Sequence, residues 1–145
     1  MLNLRFKDVK RFIRAAAAHR DAAKQLLTTC PEAVTSTRGH DVVYLSGYVV
    51  ECALKALYLS RRPEREHAEV QKWFREQIKH NLEALAREIQ DAGVVIPRLQ
   101  KKKLLRVVRP NWFTEMRYDI RAWGRVDAER VLEAAELIFK WVSGD

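Results

Sequence analysis

One stretch limits what this chain can fold into more than any other. Over residues 37–60 it is apolar on almost every helical face, through Val42, Val43, Leu45, Val49, Val50, Ala53, Leu54, Ala56, Leu57 and Leu59. A helix with so little polar surface needs cover on every side. In a chain of 145 residues that makes it the central helix of a bundle, covered either by its own neighbours or partly by a second subunit, and a homodimer is expected. Only five Gly and four Pro occur in the whole chain, which argues against an all-β fold.

The remaining segments read as its partners. Residues 6–27 place Phe6, Val9, Phe12, Ile13, Ala16, Ala23, Leu26 and Leu27 three and four apart, the spacing of a long amphipathic helix. Pro31 ends it, and Thr35, Ser36 and Thr37 offer caps for the next helix. Residues 67–93 suggest one or two shorter helices, with a break at Asn81 and an exit at Gly93. A short basic helix over 98–108 is closed by Pro110, and a last helix runs from a capping Asp127 to Ser143. The expected fold is all-α, an antiparallel bundle of four or five helices in a single domain.

No secretory h-region opens the sequence, and no run approaches the roughly 18 apolar residues of a membrane span, so a cytoplasmic protein is expected. Cys30 and Cys52 stand apart without Cys-x-x-Cys spacing. The four histidines form no cluster at ligand spacing; neither a metal nor a cofactor is expected.

The formal charge is +8, and it is local. Residues 1–24 carry a net +5 and residues 97–109 a net +6, leaving −3 elsewhere. Arg98, Lys101, Lys102, Lys103, Arg106 and Arg109 make the densest part, a candidate anion surface for RNA or nucleotide phosphate. Trp112 follows closely enough to stack on a base if exposed. The competing reading is a solvated helix face whose Leu99, Leu104, Leu105 and Val108 pack inward.

Inside the apolar helix runs one polar stripe: His40, Tyr44, Tyr48, Glu51 and Lys55, spaced four, four, three and four apart. Burying a carboxylate and an ammonium is costly unless they pair, and Glu51 precedes Lys55 at the favourable spacing. The stripe is either an internal polar lock or the wall of a cleft where tyrosine hydroxyls and Lys55 meet a phosphate or base.

The segment from Tyr44 to Leu57, with Gly47, Tyr48, Glu51, Leu54 and Lys55 in it, resembles the signature of HEPN (higher eukaryotes and prokaryotes nucleotide-binding) domains, roughly A-x-Y-L-x-G-Y-x-x-E-x-x-L-K-A-L. His80-Asn81-Leu82 and then Trp112 with Arg117-Tyr118 match further steps of that pattern in the same order. The resemblance implies a helical bundle, usually dimeric, commonly encoded beside a nucleotidyltransferase partner in bacterial or archaeal toxin–antitoxin-like pairs. Many such domains are metal-independent ribonucleases with an Arg-x(4–6)-His motif at the start of the last helix.

That motif is missing, because no histidine follows His80. The spacing recurs at Arg14 and His19, Arg62 and His67, and Arg75 and His80, as chance among 17 arginines allows. The preferred reading is a catalytically diverged module that binds a nucleotide, RNA or a nucleotidyltransferase. Tyr48, Glu51, Lys55, His80, Trp112, Arg117 and Tyr118 form its site, with Arg117 turned toward Glu51. Two alternatives stand beside it: a metal-independent endoribonuclease using Arg117 and His80, and a purely structural association bundle.

Overall fold

The computed structural model describes residues 2–30, 37–112, 116 and 123–144, and among these there is no β-strand. Six α-helices follow one another: α1 (Lys7–Thr28), α2 (Thr37–Ser60), α3 (His67–Trp73), α4 (Leu82–Asp91), α5 (Arg98–Lys103) and α6 (Arg125–Ser143). Two π-turns, Phe74–Ile78 and Leu104–Val108, extend α3 and α5. The all-α bundle is as expected from the apolar spacing.

α2 is the central helix, and its own chain covers it: nearly every residue from Val42 to Leu59 is buried. By length and hydropathy it could cross a bilayer, yet 78% of its most apolar window lies inside the bundle. Covering α2 thus calls for no second subunit. α1 approaches it through Val9, Ala16 and Ala23, a stripe at seven-residue spacing with zero exposure, small enough at two positions for close helix contact. The two run antiparallel, and the Asn3 N–H meets Ser60 Oγ at 2.6 Å where they join again.

α6 runs antiparallel to α1 and parallel to α2. Arg20 stacks over the Phe139 ring at 4.6 Å and Lys24 pairs with Glu136 at 2.7 Å, so ascending positions on α1 meet descending ones on α6. At the start of α2, Gly39 lies so close to Trp123 that a Cβ would come within 2.5 Å of the Trp123 carbonyl oxygen. The intervening segments carry the chain back to that end.

Most expected boundaries hold to within a residue or two. Asn81 is the break before α4, where its side-chain oxygen accepts from the Ala84 N–H at 2.9 Å as an N-cap. Gly93, with φ +92, ends that unit in a conformation that favours glycine. Asp127 does not cap the last helix. α6 starts at Arg125 with Gly124 at the cap, and Asp127 sits in the first turn, where its carboxylate still complements the helix dipole. The proposed caps Thr35 and Ser36, and Pro31, lie outside the described residues.

Two histidines serve the fold. His40 donates from Nε2 to the Met116 carbonyl at 2.8 Å, and His67 donates from Nε2 to the Leu59 and Arg62 carbonyls at 2.9 and 3.1 Å. His67 thereby ties the start of α3 to the carbonyls at and just beyond the end of α2.

Candidate functional site

The polar stripe of α2 has one charged focus. Glu51, 4% exposed, receives two partners: His80 Nδ1 lies 2.6 Å from Oε1, and Lys55 Nζ lies 3.8 Å from Oε2. A carboxylate only accepts, so His80 carries a proton on Nδ1 and donates it to Glu51. Its Nε2 is left on the opposite edge of a ring that is 36% exposed. Lys55 is buried and its ammonium rests 5.2 Å from the centre of the Phe74 ring, so its charge is spent on Glu51 and that ring.

Backbone geometry delivers His80 to this point. The π-turn Phe74–Ile78 leads into Lys79, whose φ of +54 and ψ of −116 are unusual for a residue with a side chain. The Arg75–His80 spacing places no common helical face here, because α3 and its π-turn end between the two.

Aromatic rings surround the pair. Tyr48 has its ring centre 5.3 Å from Trp112, 6.0 Å from His80 and 5.5 Å from His19, and its hydroxyl lies 3.1 Å from that of Tyr44. Trp112 is a wall rather than a stacking platform. It is only 5% exposed, donates its indole N–H to the Tyr44 carbonyl at 2.9 Å, and lies so flat on α2 that a Cβ on Gly47 would fall 2.1 Å from its ring atoms. The expectation of an exposed Trp112 stacking on a base beside the basic segment is therefore corrected. Gly47 is required by the ring and leaves no room for exposure.

His19 is the residue that spacing did not single out for this place. α1 carries it across Tyr48 from His80, half-buried, and burial holds its imidazole below the ordinary value while the Glu51 charge opposes that shift. The thiol of Cys52 is pushed up to about 12, first by burial and then by Glu51, so it is no nucleophile near neutral pH. Among the described residues no three His, Cys, Asp or Glu side chains gather closely enough to hold a metal ion. Arg117 and Tyr118 lie outside the described residues.

The basic segment is a separate place. Arg98, Lys101, Lys102 and Arg106 are exposed and Lys103 is half-buried. Arg109 is ion-paired with Glu83 at 2.9 Å and is partly withdrawn from an anion surface. Leu104 and Val108 pack inward and Leu105 is half-buried, but Leu99 is 51% exposed, contrary to the inward packing expected for it. Leu99 lies a full turn before the π-turn that rotates the later leucine and valines into the core.

A family model described as the HEPN domain matches residues 9–145 of the chain. No curated protein and no solved structure matches it.

Proposed function

The chain belongs to the HEPN domain family, and on that premise we propose that it is a catalytically diverged module that binds a nucleotide or RNA in the Tyr48–Glu51–His80 cleft. One observation carries this reading: a buried carboxylate holds a partly exposed imidazole in a single tautomer, beside tyrosine rings and a second histidine. A group that only locked the bundle would not need a side chain that stays 36% exposed. Such an imidazole can donate to a phosphate oxygen when protonated or accept from a ribose hydroxyl when neutral. The Tyr44 and Tyr48 hydroxyls add further polar contacts at the same corner. Arg117 and Tyr118 are assigned to this cleft, as the family pattern implies. The same reading gives the module a cytoplasmic setting, a homodimeric state and a nucleotidyltransferase partner of the toxin–antitoxin type.

Catalytic divergence rests on the sequence, which places no histidine beyond His80 to move a proton between a ribose hydroxyl and a leaving oxygen. A ribonuclease reading survives on the Glu51–His80 pair, because a carboxylate orienting an imidazole is also how a general base is prepared. Incubation with RNA in chelator, together with native mass spectrometry and AMP titration, separates the readings. Saturable binding without cleavage, weakened by His80→Ala, supports the diverged module. Cleavage abolished by both His80→Ala and Arg117→Ala in folded protein would replace it with a ribonuclease. A Glu51→Gln variant that melts lower while the wild type binds neither AMP nor RNA would leave only a structural lock.

A further inference from the structure

The groove along α5 has no part in the cleft, and its lining is of an unusual kind. About 620 Å³ in volume, it is lined by Arg98, Lys101, Lys102 and Arg106 together with Leu99 and Leu105. Four cations and two leucines line it, with no acid among the described residues. Leu99 is half exposed to water beside them, an apolar side chain left open within the cationic lining.

We propose that this groove docks an acidic, leucine-bearing segment of a protein partner. Two observations choose that occupant over a nucleic acid backbone. Phosphates would use the cations and leave Leu99 and Leu105 in water, whereas leucines set among cations match the mixed apolar and charged make-up of a protein interface. Sequence-tolerant nucleic acid binding also wants an aromatic face, and the ring nearest in sequence, Trp112, is buried against Gly47. Arg98 and Arg106 stand at the two ends of the groove, about 12 Å apart at helical rise, and each guanidinium can take a carboxylate through two hydrogen bonds. The π-turn Leu104–Val108 contributes by turning Leu104, Val107 and Val108 inward while Arg106 stays outside. The segment that fits carries carboxylates on both sides of one or two leucines, over about two helical turns. This assignment stands whether or not the Tyr48–His80 cleft takes a nucleotide.

The test uses the full chain and fluorescein-labelled helical peptides with glutamates flanking two leucines, a control with serines for the leucines, and oligouridylate. Anisotropy is expected to show saturable binding of the leucine peptides and weaker binding of the serine control. Lys101→Glu combined with Lys102→Glu should lower affinity by about tenfold or more. Leu99→Ser should lower it by about fivefold. All these side chains are exposed, and unchanged far-UV circular dichroism confirms folding. Oligouridylate binding in place of the peptides, binding indifferent to Leu99, or no peptide binding at millimolar concentration would each overturn the proposal.

Discussion

Gly47 and Glu51 are one helical turn apart on α2 and set two different constraints on the same corner. Gly47→Ala places a methyl against the flat of the Trp112 ring rather than a movable chain end, so the indole must leave its seat. Overpacking of this kind costs about 1–3 kcal/mol, and the variant should show a lower melting temperature with red-shifted tryptophan emission. Glu51→Gln removes the charge that holds both His80 and Lys55. Leaving Lys55 buried without a partner should cost roughly 3–5 kcal/mol, measurable by urea unfolding. His19 adds a pH signature. Its folded value lies below the unfolded value of about 6.5, so on acidification the unfolded chain takes up this proton first. Stability from this group is present above that value and is lost as pH falls through the window down to the folded value. Melting temperature should therefore fall less between pH 7 and pH 5 in His19→Gln than in the wild type; equal slopes would show that burial of His19 has no such effect.

At the scale of elements, two π-turns do most of the positioning. One ends at the positive-φ Lys79 and brings His80 to Glu51, and the other turns Leu104, Val107 and Val108 inward while Arg106 stays outside. Lys79→Gly relieves a backbone conformation worth about 1–2 kcal/mol, so it should raise the urea midpoint, and an unchanged midpoint would show that Lys79 stores no strain. Elements of this kind mark the boundary of what the amino-acid pattern reveals. α2 was legible because a helix that is apolar apart from one narrow polar stripe has one place to go, the centre of the bundle. The Asn81 break was legible through capping chemistry. A π-turn is not, since one inserted residue still leaves Leu104, Val107 and Val108 at ordinary helical spacing. The start of α6 was misplaced for a related reason: Asp127 has the chemistry of a cap, and an acid in the first turn satisfies the same dipole.

Over the whole molecule, a net charge of +8 resolves into distinct places with different chemistry. The Glu51–Lys55 pairing could be read from i,i+4 spacing, and the approach of His80 from the family pattern. The arrival of His19 could not. It depends on how α1 crosses α2 through Ala16 and Ala23, which no short-range spacing encodes. Trp112 shows the same limit from the other side, since only the close approach of Gly47 reveals that the ring is inside. The buried Glu51–His80 pair and the basic groove along α5 share no residue. The most direct measurement is a nuclear magnetic resonance titration of the full chain with AMP and with oligouridylate, following the imidazole, tyrosine and indole signals. Saturable shifts at His19, Tyr48, His80 and Trp112, lost in His80→Ala, are the predicted result. Shifts confined to α5, or none at millimolar nucleotide, would contradict a nucleotide-binding cleft at Glu51 and His80.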